Sequence, residues 1–460
     1  MRHAQHLSPS LSPRSTSSEA PLSSTAVVIG AGIIGSDVAY ELAKAGYDVT
    51  VVDKGPGPGS GSTSASSACI RFNYSTITSV AVSWEAKLLW ADWESYLEGT
   101  DDGQLASFIQ VGGLSVDLPG STREPVSVRF DKVGVPHEVL TKAELEERFP
   151  AMDFTSYYPP KPVTEDAFWD DSDQPLTCTY MPDAGFMDDP QFAAHNLMAA
   201  ARRKGATFRF RAGVAEILRT GEGDEQRVSG VRLEDGTVIE ADVVVNAAGP
   251  HSGQINELAG VLDDFAVTTR PMRVEVHHFR APEGYGRADG TPGPFMADTD
   301  LGTYFRGEPG GGILNGGAEP ACDELEWLDN PDVYTPTATQ AVYEAQSYRL
   351  ARRIPELQIP NTPSGVVGIY DVSSDWVPIY DKTSLPGFYV AIGTSGNQFK
   401  NAPVVGQILR AVIDHCEAGH DHDTEPAPLT LPRTGVELDL SEYSRLREVD
   451  PDAGGAGIFA

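Results

Sequence analysis

Three glycines near the start of the chain have the spacing of a nucleotide-binding turn. Gly30, Gly32 and Gly35 follow a short apolar run, residues 26–29, and precede a helical pattern over residues 33–45. Gly30 permits a tight turn, Gly32 lets the backbone approach a pyrophosphate, and Gly35 allows close packing of helix and strand. The helix N-terminus then offers backbone N–H groups to the phosphates.

An acidic residue follows where a ribose is expected. A second strand pattern over residues 49–52 ends at Asp53, 18 residues beyond Gly35. A carboxylate at this position can accept hydrogen bonds from ribose hydroxyls. Strand, glycines, helix, strand and acid in register predict dinucleotide binding, and a glycine-rich turn in an ordinary α/β domain is the alternative.

The bulk composition limits the classes of partner. A chain of 460 residues can form two or three domains, and its formal net charge of −32 disfavours nucleic acid, whose phosphates need a basic surface. No run of 18 apolar residues predicts a membrane span. The four cysteines (Cys69, Cys178, Cys322 and Cys416) are far apart, so neither a zinc site nor a disulfide framework is expected. We therefore expect a cytoplasmic protein without a metal.

The two ends of the chain have their own compositions. Residues 1–24 are rich in Ser and Pro without an apolar segment, which favours a disordered leader, with an organelle transit peptide as the alternative. Residues 417–460 are rich in Pro and acids and predict a loosely docked, acidic C-terminal extension.

Hydrophobic periodicity predicts the elements between these ends. Helices are expected over 77–97, from a capping box at Thr141 to Pro150, and over 190–204, 334–354 and 399–416; strands are expected over 207–211, 241–245 and 388–392, with a hairpin over 228–239 and an antiparallel sheet within 270–317.

The strand–helix patterns are scattered along the chain, so the nucleotide-binding domain is expected to be discontinuous. It is assigned to residues 25–105, 186–268 and 365–416, and the substrate domain to residues 106–185 and 269–364. The predicted fold class is α/β, with a Rossmann-like domain and an inserted α+β substrate domain built on an antiparallel sheet.

Six segments in order resemble the FAD-dependent D-amino-acid oxidase superfamily, especially its sarcosine oxidase, glycine oxidase and dimethylglycine dehydrogenase branch. The resemblance extends from Thr25 to about Cys416. Its segments are GAGIIG (30–35) with Asp53, GSTSASSACIRFNYS (61–75), GFMDDPQFAAHNLMAAARRKGA (185–206), VVVNAAGP (243–250), TRPMRVEV (269–276) and GFYVAIGTSGNQFKNAPVVGQIL (387–409).

The resemblance implies FAD as the cofactor and identifies the residues expected around it. Small residues in the 61–75 loop would pass close to the flavin ring, and the 393–400 turn would stabilise negative charge on reduced flavin. The expected cofactor-binding residues are Gly30, Gly32, Ile33, Ile34, Gly35, Asp53, Lys54, Ser62, Thr63, Ala68, Cys69, Val214, Ala248, Gly249, Gly396, Asn397, Gln398, Phe399 and Lys400.

The resemblance also implies catalytic residues. Arg71 and Lys400 would together hold a substrate carboxylate, for which a guanidinium fork is well shaped. The alternatives are a surface arginine and a helix-surface lysine. Tyr370 would face the substrate, either as part of the pocket wall or as a group that takes part in the reaction. Tyr304 is a weaker candidate for this role, and Arg306 is a weaker candidate for a third anion contact.

A histidine follows the fourth segment. His251 stands directly after VVVNAAGP. A lone histidine is more often structural than catalytic, so we expect a structural role for it.

Three departures from the family pattern modify these expectations. Gly368 stands where sarcosine oxidases attach flavin to cysteine, and no histidine lies between Asp53 and Phe130, so FAD is expected to be bound non-covalently. The lysine credited with activating oxygen in sarcosine oxidases would fall near Leu314, where this sequence has no lysine. This difference favours a dehydrogenase that uses another electron acceptor. Asn397-Gln398 replaces a His-Gly pair, so the substrate pocket is expected to differ.

These residues predict an FAD-dependent oxidoreductase that oxidises the C–N bond of an amino acid or N-methyl amino acid to an imine by hydride transfer. Its partners would be a small carboxylate substrate and an electron acceptor, which could be a quinone, an electron-transfer protein or oxygen. The alternatives are a flavin dehydrogenase of a hydroxy acid or polyol and an electron-relaying flavoprotein subunit of a complex. An NAD-dependent dehydrogenase is disfavoured, since the later cofactor segments match FAD proteins.

Overall fold

The computed structural model describes residues 24–100, 103–118 and 124–449. The predicted leader lies, apart from Ser24, outside the described residues, as do the last residues of the predicted extension. The described helices are α1 (Ile33–Lys44), α2 (Ile77–Ala91), α3 (Trp93–Tyr96), α4 (Val126–Val133), α5 (Lys142–Arg148), α6 (Pro190–Arg203), α7 (Ser252–Leu258), α8 (Gln340–Arg353) and α9 (Ala402–Glu417).

The described strands lie between Thr25 and Leu438. They are β1 (Thr25–Ile29), β2 (Asp48–Asp53), β3 (Cys69–Ile70), β4 (Phe108–Gln110), β5 (Gly113–Asp117), β6 (Glu138–Leu140), β7 (Thr177–Met181), β8 (Gly185–Met187), β9 (Thr207–Phe210), β10 (Val214–Thr220), β11 (Arg227–Leu233), β12 (Val238–Glu240), β13 (Val243–Asn246), β14 (Thr269–Arg280), β15 (Phe295–Asp298), β16 (Thr303–Glu308), β17 (Gly312–Gly317), β18 (Glu326–Trp327), β19 (Gly365–Ser373), β20 (Ile379–Lys382), β21 (Phe388–Ile392), β22 (Leu429–Thr430) and β23 (Glu437–Leu438).

A mainly parallel sheet forms the nucleotide-binding half. Its strand order is β20-β21-β13-β1-β2-β9, and only the β20–β21 edge pair is antiparallel. In this register Val28 of β1 lies beside Val51 of β2 and Val245 of β13. The β-branched strands are buried between helices, as parallel sheets require. The carboxyl ends of these strands therefore meet at one edge, beside the Gly30 turn.

A large mixed sheet forms the substrate half. Its strands follow the order β18-β14-β17-β16-β15-β5-β7-β6, with β19 paired to β14. The pairs β14–β17, β17–β16 and β16–β15 are all antiparallel, which confirms the sheet predicted within 270–317. Tyr343 and Leu350 of α8 pack on Phe279 and Phe305 in a separate apolar core. The predicted fold class is confirmed.

Several local predictions agree with the structure, and three need correction. The strand 388–392 and the capping box at Thr141 are confirmed, with the Thr141 N–H donating to Glu144 Oε2 at 2.8 Å. The helix predicted over 77–97 breaks at Asp92 into α2 and α3. The helix predicted from 334 begins only at Gln340, because Pro336 disfavours helical backbone before it.

The helix predicted from Phe399 begins later than expected. Residues Phe399–Asn401 form a 3₁₀ turn, and the α-helix α9 starts at Ala402, with Pro403 in its first turn. This tight turn fixes the direction in which the Lys400 side chain leaves the backbone.

The strand β19 belongs to the substrate half, although the sequence assigned it to the nucleotide-binding domain. It pairs with β14 along its length, from Thr269↔Ser373 to His277↔Gly365. We therefore propose that the third nucleotide-binding segment begins after Ser373. As a result, the two residues at 370 and 371 stand at the border between the two halves.

The described part of the C-terminal segment, residues 417–449, is firmly docked, so the prediction of a loose extension is wrong for these residues. Leu431, Leu440 and Tyr443 are buried. Arg445 pairs with Asp381 Oδ2 at 3.1 Å and with Asp423 Oδ1 at 2.6 Å. The prediction was based on the high content of acidic residues and proline. It did not take account of a few apolar residues and one arginine that are buried and anchor the segment.

Candidate active site

The glycine turn has the shape of a phosphate cradle. Gly30 has φ 108°, and a side chain there would overlap the carbonyl of Ala247 at the end of β13. A side chain at Gly35 would overlap the Gly30 carbonyl, so α1 approaches β1 closely. Gly32 caps α1, whose first residues, Ile33 and Ile34, are buried. The first-turn N–H groups thus face the edge where strands end, as a dinucleotide requires.

The acid predicted to bind ribose holds two turns together. Asp53 accepts a hydrogen bond from Ala31 N–H and another from Gly55 N–H, each at 2.6 Å. Asp53 ends β2, and both turns border the cradle. Its remaining lone pairs are available to a ribose hydroxyl.

Lys54 lies on the surface beside this acid. Its Nζ contacts Asp332 Oδ1 at 2.7 Å and His251 Nε2 at 2.8 Å. Burial lowers the pKa of His251, opposed by its hydrogen bond to Asp332. Contacts with Lys54 and Asp332 hold the His251 ring in place, which is consistent with the expected structural role.

The predicted flavin loop connects both halves of the molecule. Thr63 Oγ1 accepts from Ile33 N–H at 3.0 Å, and Ser62 Oγ donates to the Ile369 carbonyl at 2.7 Å. A side chain built at Gly368 would lie 3.2 Å from the Ala65 methyl group. Position 368, where the resemblance places the cysteine that attaches flavin, therefore faces this loop. The glycine at this position offers no side chain for attachment.

The loop ends in a strained residue before a short strand. Ala68 is buried with φ 50°, and Cys69 begins β3, pairing with Phe186. Burial raises the pKa of the Cys69 thiol. Cys69 is therefore held as a neutral thiol rather than as a reactive thiolate.

Three further residues that were predicted to bind the cofactor lie together. Val214 starts β10 and Ala248 follows β13, and both pack on the apolar cluster that contains Ile29 and Val52. Gly249 has φ 57° in the turn after β13. The structure thus brings these three positions to the carboxyl edge of the parallel sheet.

The turn after β21 contains three left-handed residues: Gly393 (φ 64°), Ser395 (φ 46°) and Gly396 (φ 68°). Asp371 stabilises this turn, because its carboxylate accepts a hydrogen bond from the Gly393 N–H at 2.6 Å. Burial raises the pKa of Asp371 to about 7. The Tyr370 ring packs where a side chain at Gly396 would be.

Three more predicted cofactor residues, Asn397, Gln398 and Phe399, lie in the turn that precedes α9. Gln398 Oε1 accepts from Tyr380 OH at 3.0 Å and from Asn401 Nδ2 at 2.7 Å. Asn397 is buried beside Gln398, and Phe399 stacks on Trp90 at 5.6 Å. These contacts make the turn rigid.

Arg71 and Lys400 meet at one tyrosine. The Arg71 guanidinium and Lys400 Nζ each lie 4.9 Å from the ring centroid of Tyr74. Each of the two residues is only 3% exposed. They come from positions far apart in the chain, and the alternatives of a surface arginine and a surface lysine are thereby excluded.

Hydrogen bonds fix both cations. Lys400 Nζ donates to Tyr74 OH at 2.8 Å and to the Asn397 carbonyl, and Arg71 Nη1 donates to the Asn73 carbonyl at 2.9 Å. Trp90 Nε1–H donates to the Lys400 carbonyl at 2.6 Å. Burial, and then the charge of Arg71, lowers the pKa of Lys400 well below its usual range.

The remaining wall carries two tyrosines. Ser67 Oγ and Tyr304 OH lie 2.9 Å apart, and Tyr370 packs in the same apolar cluster as Tyr304. Arg306, a weaker anion-binding candidate, donates to the Ser67 carbonyl at 2.7 Å and stacks over Phe186 at 4.0 Å. These contacts account for Arg306 as a support of the wall.

Sequence reasoning missed three residues of the site: Tyr74, Trp90 and Asp371. Tyr74 and Trp90 position Lys400, and Asp371 holds the glycine turn. Only Asp371 had a usable signal, because it directly follows the predicted Tyr370. The others contact the site through the tertiary fold.

This geometry matches a known family. The family model "FAD dependent oxidoreductase" matches residues 25–412, and the chain belongs to that family. FAD is therefore its cofactor, with a small-molecule substrate and an electron acceptor as reaction partners. The residues of the glycine cradle fit the group, since side chains at Gly30 and Gly35 would close it.

The chain is similar to several characterised proteins. FAD-dependent oxidoreductase domain-containing protein 1 of Bos taurus is 25% identical over 91% of this chain and 86% of its own length, while the Mus musculus protein of that name aligns at 29% identity over 45% of this chain and 42% of its own length. Sarcosine oxidase subunit beta of an Arthrobacter species is 26% identical over 85% of this chain and 87% of its own length. The crystal structure of L-proline dehydrogenase from P. horikoshii shares the fold, with a TM-score of 0.70 at 24% identity over 93% of this chain and 98% of that chain.

Membrane insertion through a helix is not indicated. Within the described ranges, no helix has the length and apolar character needed to span a bilayer.

Proposed function

We propose that this FAD-dependent oxidoreductase oxidises the C–N bond of an amino acid or an N-substituted amino acid. The observation that supports this most strongly is Lys400, which is buried beside a second cation and makes no ion pair with any carboxylate of the described residues. A buried cation is costly unless an anion pairs with it. A substrate carboxylate between Arg71 and Lys400 would supply that anion.

Similar proteins support an amine as the reacting group. The Arthrobacter relative is a sarcosine oxidase subunit, and a Mus musculus relative, 24% identical, is a sarcosine dehydrogenase. Both names state an N-methyl amino acid. A substrate of this class carries the carboxylate that the Arg71–Lys400 pair would bind.

The chain's own residues would orient the substrate. Arg71 and Lys400 hold the carboxylate, while Tyr370 and Tyr304 form the wall beside the reacting carbon. The buried side chains around Tyr74 exclude water from this end of the site. When bound, FAD supplies a two-electron acceptor for the hydrogen on the carbon next to nitrogen. The nitrogen lone pair then forms the C=N bond of an imine, which water hydrolyses afterwards.

The other candidate substrates are hydroxy acids and polyols, and the chain could also relay electrons within a complex. Anaerobic titration of the holoenzyme separates these possibilities. We expect amino acids or N-methyl amino acids to bleach the visible absorbance of the flavin, and their hydroxy-acid counterparts to leave it unchanged. Bleaching by hydroxy acids or polyols alone would refute the proposal, as would no bleaching by any of them.

A further inference from the structure

Two histidines and one glutamate lie together at the C-terminal end of α9. His415 lies in the last turn of this helix, and His420 and Glu425 lie in the loop that opens the C-terminal segment. One ring nitrogen of each histidine and one carboxylate oxygen of Glu425 all lie within 4.8 Å of one another. Among the described residues, no other set of three His, Cys, Asp or Glu side chains has this geometry.

The cluster is separate from the candidate active site. Lys400 lies just before the start of α9, whereas the cluster lies at the other end of this 16-residue helix. At 1.5 Å per residue the helix is about 24 Å long. The cluster therefore takes no part in holding the substrate.

The backbone holds the two histidines side by side. Gly419 has φ 93°, and its N–H donates to the Cys416 carbonyl at 2.9 Å. The His420 N–H donates to the His415 carbonyl at 3.2 Å. These two bonds form a Schellman motif, which ends α9 and reverses the chain. As a result, the two imidazole rings stack with their centroids 4.5 Å apart.

A hydrogen bond fixes the protonation of His415. Its Nε2 lies 2.8 Å from the Glu425 carbonyl oxygen. Because a carbonyl can only accept, Nε2 carries the proton, and the lone pair of the neutral ring lies on Nδ1. Metal-binding histidines usually donate their other ring N–H to a carbonyl or carboxylate in this way, which orients the ring.

The third histidine of the loop has a different role. His422 is 3% exposed, and its Nδ1 accepts a hydrogen bond from the Ala427 N–H at 2.9 Å. Its ring stands edge-on to that of His415, with the centroids 6.4 Å apart. These contacts make His422 a support for the His415 ring and not a ligand.

We propose that His415, His420 and Glu425 bind one divalent transition-metal ion, and that this ion is Zn²⁺. Imidazole nitrogen and carboxylate oxygen are both zinc ligands, whereas Mg²⁺ and Ca²⁺ prefer oxygen. His420 Nδ1 and Glu425 Oε2 lie 3.6 Å apart, and these side chains are 52% and 70% exposed, so both can turn toward an ion beside His415. The cysteine spacing that disfavoured a zinc site does not bear on a site of this composition.

Such an ion would stabilise the fold rather than take part in the oxidation. Its ligands come from both sides of the turn at Gly419, so it would hold the start of the C-terminal segment against α9. Three protein ligands leave one position of a tetrahedral zinc ion for water. Because the ion binds the folded chain, it should raise the Tm of the protein.

Zinc binding to the holoenzyme, prepared without a histidine tag and stripped with a chelator that is then removed, tests the proposal. We expect calorimetric titration to show one Zn²⁺ per chain and no comparable binding of Mg²⁺. Changing a residue that merely supports a metal ligand typically costs about 10–100-fold in affinity. His420→Gln and Glu425→Gln should therefore each weaken Zn²⁺ binding by about 10-fold or more and reduce the rise in Tm.

His195→Gln, at an exposed histidine on α6, is the matched control and should change neither measurement. The flavin spectrum of each variant shows whether its fold is intact. Zinc affinity that both loop variants retain would overturn the proposal, as would an equal loss in the control. Failure of the wild-type holoenzyme to bind Zn²⁺ more tightly than Mg²⁺ would also overturn it.

Discussion

The sharpest prediction concerns the two cations at Tyr74. Lys400→Met removes a buried ammonium group and keeps most of the side-chain length, and Arg71→Met does the same for the guanidinium. Neither residue lies at the glycine cradle around Gly30, so both variants should retain FAD. The substrate carboxylate, in contrast, should lose one of its two partners.

The expected loss follows from the burial of both groups, each 3% exposed. Removing one member of a desolvated charge pair costs about 2–5 kcal/mol, much of it from the charge left unpaired. At about 1.4 kcal/mol per decade, kcat/KM for acidic substrates should fall roughly 30-fold or more. The double variant should lose less than the sum of the two effects, because both residues act on one carboxylate.

The dependence of kcat/KM on pH gives a second measurement. Because burial and then Arg71 lower the pKa of Lys400, binding of a carboxylate should weaken as pH rises through that pKa. Arg71→Met removes the repulsion and should move this falling limb to higher pH. Lys400→Met should abolish the limb. Lys132→Met, at a lysine 48% exposed, is the matched control.

Steady-state kinetics with a dye acceptor, together with flavin spectra of each variant, carry the test. Amines without a carboxylate should be nearly indifferent to either substitution. If both variants keep full spectra and near-normal kcat/KM for acidic substrates, the carboxylate is held elsewhere and the assignment of Arg71 and Lys400 is wrong.

Three further predictions use other parts of the site. Because Gly368 carries no attachment group, acid or heat should release FAD into the supernatant; flavin that stays with the precipitated chain would contradict this. Because the oxygen-activating lysine that the resemblance implies falls near Leu314, where no lysine stands, flavin reduced by substrate should react slowly with oxygen and faster with a quinone or dye in stopped-flow measurements, and oxidase-like oxygen rates would reverse that preference. Burial raises the pKa of Asp371 from 3.8 to about 7, so the free energy of unfolding should fall between these pH values, by at most about 4 kcal/mol. Asp371→Asn should remove this loss, and equal urea midpoints for wild type and variant at pH 8 would refute it.

Much of the fold was predictable because its signals are local. The turn at Gly30, the strand 388–392 and the capping box at Thr141 each depend on a few consecutive residues. The errors arose where tertiary contacts override composition. Arg445 makes the acidic C-terminal segment dock firmly, although Pro and acid content alone favours a loose chain.

The site was predictable only where a family pattern marks it. Arg71 and Lys400 were found from such a pattern, but Tyr74, which both cations contact, was not. Its hydroxyl accepts a hydrogen bond from Lys400 across 326 positions of sequence. No periodicity or spacing encodes such a contact, because it depends on how α2 and α9 pack.

Buried charged groups are paired differently in the structural core and in the candidate active site. Arg353 in the substrate half is fully buried, and it pairs with Asp298 at 2.8 Å and with Asp300 at 3.0 Å. Such complete pairing is what a structural buried charge requires. Lys400 departs from this rule, because it makes no ion pair with any carboxylate of the described residues. A fold that pairs Arg353 so completely leaves Lys400 hydrogen-bonded to Tyr74 OH and the Asn397 carbonyl but without an anion beside Arg71, which is the arrangement that a substrate carboxylate would complete.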